Sequence, residues 1–384
     1  MRNMRQVLSV SLVIALLLFG GTAGATLALP GESHPITPFL MESTVFSPNT
    51  MIAAAVAVPA QELTPAVTGA AERTVTVTDD SGETVVIRGI PQKIVSLAPS
   101  NTEILYALDL GDRIVGVADY SNYPPEASDK PAVGGYSSIS IERVVAAKPD
   151  LVVAALGNTE EVIDRLRSLG MTVVYLNPQT IDDVLQDIEL LGAVTGQEEQ
   201  AAACVEDLRD RLRVVVEKTE GLAERPSVAH VVWHDPVWVS GRGTFQDEVI
   251  TMAGGTNAFD SVDEWSIVGL EEFIATDPEY IFVSSGTGMT EGGHDIIYDH
   301  FMSEPRMQRL EAVRNGHVYV VDADAVSRGG PRIVDAIEEV AGDLHPALFE
   351  ASARETTPAA RAPGFGVVPL TCALFAVLLL RTKR

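Results

Sequence analysis

Residues 93–127 read KIVSLAPSNTEILYALDLGDRIVGVADYSNYPPEA, and the order of apolar, polar and glycine positions in them decides the fold. The run 94–97 is short, apolar and β-branched, the composition of a strand buried on both faces. Ser100 stands three residues before Glu103, the spacing of a capping box. Ile104, Leu105 and Leu108 then line one face of a helix that Gly111 is placed to end. A second strand is expected over 114–117. Strand, helix and strand in this order form a parallel pair with a right-handed crossover. In open α/β sheets the ligand crevice lies beyond the carboxyl ends of the strands, which is where 99–101 and 119–123 fall.

An internal repeat extends this unit to the whole chain. Residues 139–154, ISIERVVAAKPDLVVA, align without a gap on 268–283, VGLEEFIATDPEYIFV, pairing Glu142 with Glu271, Ala146 with Ala275 and Pro149 with Pro278. Each copy is a polar loop, a short amphipathic helix stopped by a proline, and a buried strand. Two similar α/β lobes follow from it. Between them, 197–220 contains neither glycine nor proline, and Ala201, Val205, Leu208, Leu212 and Val215 step by four and three. Such a helix is about 36 Å long at 1.5 Å per residue, enough to bridge two lobes.

The remaining punctuation sets the domain boundaries. Arg2 and Arg5, an apolar run over 7–20 and the small residues Ala23 and Ala25 make 1–25 a signal peptide. No cysteine stands just after this run, which closes the usual lipoprotein route. Residues 26–72 are rich in Pro, Ala, Thr and Ser and are expected to be a disordered linker. The N-terminal lobe is expected over 73–196, opening with a hairpin in which Val75 and Val77 face Val85 and Ile87 around Asp80-Ser81-Gly82. The bridging helix takes 197–222, the C-terminal lobe 223–350 and a second linker 351–362. The last segment, 363–384, joins Pro363-Gly364-Phe365 to an apolar run ending in Arg381-Thr382-Lys383-Arg384. It reads as a sorting or membrane segment.

Composition narrows the chemistry. With 53 acidic against 27 basic residues and a net charge of −26, the chain is not built to hold nucleic acid. It has no Gly-x-Ser-x-Gly elbow and no His-Glu-x-x-His. His230 and His234 are four apart on a strand, about 13 Å from each other, so no protein-held metal is expected. Aromatic residues gather instead at strand ends: Tyr120, Tyr123 and Tyr136 from loops of the first lobe, Trp233, Trp238 and Trp265 from loops of the second. In a chain with 6% aromatics, this favours a ligand with large apolar faces. Glu142 and Glu271 fall in helix first turns, where the macrodipole favours a carboxylate.

SLAPSNTEILYAL (96–108), VADYSNYPPEA (117–127), the 139–154 segment and WVSGRGTFQDEVITMAGGTNAF (238–259) together resemble the substrate-binding proteins of ABC importers for cobalamin and iron siderophores, most of all the cobalamin-binding members. The resemblance spans about 73–348. It implies an α/β fold of two Rossmann-like lobes joined by one long bridging helix, without catalysis and without a cofactor other than cobalamin as cargo. It implies that Tyr120 and Tyr136 pack on the corrin ring from one lobe and Trp233 and Trp265 from the other, with Asp324 and Arg328, in the loop ADAVSRGGP, as polar contacts. Ala155 departs from this pattern, standing where cobalamin binders can carry a further aromatic. Glu142 and Glu271 would dock a homodimeric permease carrying its ATPase subunits, the binding protein itself being a monomer when free. The ending resembles archaeal Pro-Gly-Phe sorting signals, which implies an extracytoplasmic protein anchored at the cell surface. A ferric siderophore or haem is the alternative cargo. A secreted α/β enzyme would need a base and nucleophile pair that the sequence does not offer.

Overall fold

The computed structural model describes residues 73–349, apart from 287–288 and 292–293. The expected signal peptide, both linkers and the C-terminal segment lie outside these residues. Contacts divide the chain into two units between Val205 and Glu206.

The first unit opens with the hairpin β1 (Thr74–Thr78) and β2 (Thr84–Arg88), in which Val75 pairs with Ile87 and Val77 with Val85, as the alternation demands. Its turn is held by a buried carboxylate. Asp79 is 3% exposed; its Oδ1 accepts from the amides of Ser81 and Glu83, and its Oδ2 from Arg167 and the Tyr175 amide, both at 3.1 Å. Strands β3 (Ile94–Ser96), β4 (Ile114–Val117), β7 (Leu151–Ala155) and β8 (Val173–Leu176) form a parallel sheet in the order β4-β3-β7-β8. The two-residue strands β5 (Gly134–Gly135) and β6 (Ser138–Ile139) form a separate ribbon. Helices α1 (Pro99–Ala107), α2 (Ile141–Ala147), α3 (Glu160–Ser168) and α4 (Ile181–Thr195) connect and flank the strands. The all-apolar strands behave as sequence predicts: Val95, Leu97, Val152 and Ala154 sit in one core with Val144 and Leu166.

Two local expectations are corrected. Pro99 opens α1 with Ala98 as N-cap and no side-chain cap bond, so Ser100 lies inside the helix and the capping box with Glu103 is not formed. Proline lacks an N–H, and its position at the start removes one donor that a cap would have served. Gly111 opens a short 3₁₀ turn instead of closing α1; Asp109, at φ 58, takes the left-handed position.

Helix α5 (Glu198–Thr219) runs through the division and is common to both units. It meets α4 where Gly192 lets Ala201 approach; a Cβ on Gly192 would lie 2.4 Å from that of Ala201. Further along, Arg211 bonds both carboxylate oxygens of Glu338, at 3.1 and 2.5 Å, and reaches Asp335 at 2.5 Å.

The second unit holds a mixed sheet. Strands β9 (Ser227–His234), β13 (Tyr280–Ser285) and β16 (Val318–Asp322) are parallel, with β11 (Thr256–Asn257) added beside β9. Strands β10 (Val237–Ser240) and β12 (Trp265–Ile267) extend it antiparallel, giving the order β12-β10-β9-β13-β16. A small hairpin, β14 (Thr290–Glu291) and β15 (His294–Asp295), follows β13. The helices are α6 (Phe245–Met252), α7 (Leu270–Thr276), α8 (Ile296–Ser303), α9 (Glu311–Asn315), α10 (Ala323–Ser327) and α11 (Ile333–Leu344). Phe259 stacks on Phe273 in its core, with ring centroids 5.4 Å apart, and Phe301 meets Phe273 edge-on at 5.6 Å.

The repeat is visible in both. Helices α2 and α7 each have seven residues, and each closes on a non-glycine left-handed residue, Lys148 (φ 51) and Asp277 (φ 44), just before the aligned proline. The strands that follow, β7 and β13, are the inner members of β3-β7-β8 and β9-β13-β16. The units differ at the flank: β4 lies parallel to β3, whereas β10 returns antiparallel to β9.

One buried acid stands out. Asp187 of α4 is 3% exposed, hydrogen-bonds the Asp80 carboxylate and leaves its Oδ2 without a partner. Burial first, then the charge of Asp80 and the bond to it, push its carboxyl up to about 8.

Candidate functional site

In the first unit, the chain leaves β3 toward α1 and leaves β7 toward α3, so the crevice of this sheet lies at the carboxyl ends of these two neighbours. Two buried asparagines close the strand ends. Asn101 Nδ2 donates to the carbonyls of Val153 and Ala154 at 3.3 and 3.1 Å. Asn158 Nδ2 donates to Leu97 O at 3.0 Å and Tyr136 O at 2.7 Å, while its Oδ1 accepts from Ala155 N at 2.8 Å. Asn158 thereby ties the β5–β6 loop to both strands. The Tyr136 ring lies over Gly157 (φ 96), where a Cβ would come within 2.2 Å of it, and burial pushes the phenol pKa up.

Tyr120 lies on the loop after β4. That loop is joined to the Tyr136 loop by the bond from Asp119 N to Gly134 O at 2.8 Å. Tyr120 takes φ 66, unusual for a bulky residue, and its side chain is 64% exposed. The structure thus brings the loops of Tyr120 and Tyr136 together. Ala155 is buried and occupied by its bond to Asn158.

In the second unit, the three tryptophans are not on loops, as sequence suggested, but on strands. Trp233 ends β9, Trp238 lies in β10 and Trp265 begins β12. Successive side chains of these strands point to alternate faces. Trp238 pairs with Trp233 on one side and Ile267 on the other, and Trp265 pairs with Ser240. Register therefore puts Trp238, Trp265 and Ile267 on one face, and Ile267 is 57% exposed. Trp233 donates its indole N–H to Asp235 O at 3.1 Å and sits 4.8 Å from the His234 ring.

Asp324 and Arg328 follow the carboxyl end of β16, in a one-turn helix where a loop was expected. Asp322 caps it, accepting from the amides of Asp324 and Ala325 at 2.8 and 3.2 Å. Asp324 and Arg328 pair at 2.8 Å. Strand β13 separates them from β9, about 10 Å across two strand spacings.

The histidines divide by environment. His230 is buried between Ser240 Oγ at 2.9 Å and Ser284 Oγ at 3.1 Å, and burial depresses its pKa to about 3. It is a neutral core group. His234 lies 4.6 Å from the His300 ring, and its buried Nδ1 has no hydrogen-bond partner. Among the described residues, no three metal-ligating side chains converge.

Glu142 and Glu271 occupy the same position in α2 and α7. The Ser140 hydroxyl donates to Glu142 Oε2 at 3.0 Å, and this bond, after the helix N–H, holds the carboxyl below its usual range. It is an exposed, ionised group. Glu271 follows Gly269, the N-cap of α7.

Comparison with known proteins sets this arrangement in context. The uncharacterized ABC transporter substrate-binding lipoprotein YvrC of Bacillus subtilis is 32% identical over 283 residues, 72% of this chain and 87% of that protein. The crystal structure of the periplasmic vitamin B12 binding protein BtuF of Vibrio cholerae is 31% identical, covering 67% of this chain and 98% of that one, with a TM-score of 0.57. A periplasmic heme-binding protein from Roseiflexus, RhuT, is 25% identical over 67% of this chain and 99% of its own, with a TM-score of 0.60. Residues 94–325, from β3 to α10, match the periplasmic binding protein family. A matched segment that takes in both sheets and both copies of the repeat shows that the chain belongs to the periplasmic binding protein family and is the substrate-binding protein of an ABC importer.

Proposed function

We propose that the cargo is cobalamin or a related corrinoid, with Tyr120 and Tyr136 against one part of it and Trp233, Trp265, Asp324 and Arg328 against another. The observation that carries this reading is the pair of aromatic surfaces, the exposed Tyr120 beside the braced Tyr136 and the tryptophan face of β10 and β12. Flat apolar rings recognise a macrocycle by area, and the Asp324–Arg328 pair matches polar amides at its rim. The named function of the Vibrio cholerae relative supports the same cargo. Haem or a ferric siderophore is the second reading. It is favoured by His234, whose unpartnered imidazole nitrogen is a donor of the kind that ligates iron, and by the Roseiflexus relative.

Glu142 and Glu271 are the contacts to a homodimeric permease, two equivalent carboxylates for two equivalent basic sites. Residues 363–384 anchor the protein to the outside of the membrane after the signal peptide has been removed. Titration of the mature protein with cyanocobalamin, haem and a ferric hydroxamate tests the cargo. Saturable binding of cyanocobalamin alone is expected, and saturable binding of haem without cyanocobalamin would transfer the assignment to the second reading.

A further inference from the structure

Two parts of the proposed cargo surface in the second unit come from separate segments of the chain. The tryptophan face belongs to β10 and β12, and the Asp324–Arg328 pair to α10, which follows β16; β9 and β13 lie between them in the sheet. The first turn of α6 is bonded to both.

On the ribbon side, β10 ends at Ser240, the residue paired with Trp265. Asn257, 4% exposed, donates Nδ2 to Ser240 O at 3.1 Å and to Asp247 Oδ1 at 2.9 Å. Thr244, the N-cap of α6, donates its hydroxyl to Gly241 O at 2.8 Å and accepts from the Asp247 amide at 3.2 Å. Two side chains thus fix the helix start to the end of β10.

On the other side, Gln246 Nε2 donates to Ser327 Oγ at 2.8 Å. Ser327 stands three residues after Asp324 and one before Arg328, and spacings of three and four put Asp324, Ser327 and Arg328 on neighbouring positions of α10. Asp322, which also accepts from Arg332 at 3.2 Å, caps the start of this turn, and the Gln246 bond holds its end. Five residues are too few to keep a helix by themselves, so the place of Arg328 depends on what the two ends are tied to.

Gln246 is 1% exposed, and its Oε1 has no hydrogen-bond partner among the described residues. An apolar side chain of the same length would avoid that unmet acceptor, so the glutamine contributes a fixed place for Ser327 and not stability. On the reading above, in which Arg328 and the tryptophans touch one cargo, we infer that Gln246 is a positioning residue. It sets Arg328 at a fixed distance from the Trp238 and Trp265 face.

A double-mutant cycle in the full-length chain, read by calorimetric titration with cyanocobalamin, tests this. Gln246→Met keeps the side-chain length and removes the bond. It is expected to bind about tenfold more weakly than wild type while melting at the same temperature or higher. In an Arg328→Ala background the same substitution is expected to cost less than about twofold, because Arg328 is the group through which it acts; in a Tyr120→Ala background the tenfold cost stays. Ser327→Ala cuts the bond from its exposed end and is expected to give the same costs, so the test stands if Gln246→Met does not fold. Equal costs in the two backgrounds overturn the positioning role, since a loosened fold would weaken every contact alike. Wild-type affinity in Gln246→Met and Ser327→Ala, with Arg328→Ala weakened, overturns it too. Absence of cyanocobalamin binding by wild type, or wild-type affinity in Arg328→Ala, overturns the cargo reading itself and withdraws the inference with it.

Discussion

Replacing Asp187 by Asn should make the protein more stable in alkali and leave its stability less dependent on pH. Two carboxyl groups that hydrogen-bond each other need one proton between them, and Asp187 is the member that burial keeps protonated, up to about 8 against an ordinary 3.8. Because the folded value is raised, the contribution of this proton is fully present below about 3.8 and is lost as pH rises through 8. Each pH unit within that window costs the fold about 1.4 kcal/mol, so the accumulated cost at pH 7 is on the order of 4 kcal/mol. That is an upper bound, since water entering the pair lowers it. An Asn amide can donate to Asp80 as the protonated acid does, without a charge to bury. The variant should exceed wild type by about 1 to 2 kcal/mol at pH 5 and by on the order of 2 to 5 kcal/mol at pH 8. Guanidinium unfolding of both proteins at the two pH values measures this. The same difference at pH 5 and pH 8 would refute the shared proton.

Truncating Tyr120, Tyr136 or Trp265 to Ala should each weaken cyanocobalamin binding by about 1 to 3 kcal/mol, roughly five- to 150-fold, in titration calorimetry. Unchanged curves for all three would move the ligand elsewhere. Gly157→Ala should act on the same site indirectly, because a Cβ 2.2 Å from the Tyr136 ring at φ 96 displaces the ring. A thermal shift equivalent to about 1 to 3 kcal/mol and a loss of affinity are expected together. Glu142→Arg combined with Glu271→Arg should abolish uptake while titration curves stay as in wild type, and transport at the normal rate by that double variant would leave both glutamates with only a helix-start role.

Much of the architecture could be read from local chemistry. All-apolar β-branched runs such as 151–155 have one stable use, a strand covered on both faces, and the aligned prolines at 149 and 278 mark where both repeat helices must stop. Structure departs from local pattern where two local signals compete. Pro99 and Ser100 both suit a helix start, and the rigid ring took the first position. The tryptophans read from sequence as loop residues at strand ends; register, which sequence does not display, puts them on paired strands. Sequence gives no role to Asn158, nor to Asn101 within 96–108. Their role arises from strand-end carbonyls supplied by residues about 50 and 60 positions away in the chain. Asp187 was equally silent, because only burial beside Asp80 distinguishes it from the neighbouring surface acids.

The antiparallel ribbon has an evolutionary consequence. Strands covered by helices on both faces leave no position whose side chain is answerable to the cargo alone, so a change there is first a folding event. The ribbon of β10 and β12 hangs at the margin of its sheet, and β12 has a single strand neighbour. Substitutions at Trp238, Trp265 and Ile267 leave the Phe259, Phe273 and Phe301 stack untouched. In the first unit the Tyr136 loop is held to the strand ends by Asn158. The duplicated halves are thus unequal: the second offers a margin where side chains can change without disturbing its phenylalanine core, and the first fastens its Tyr136 loop with buried hydrogen bonds.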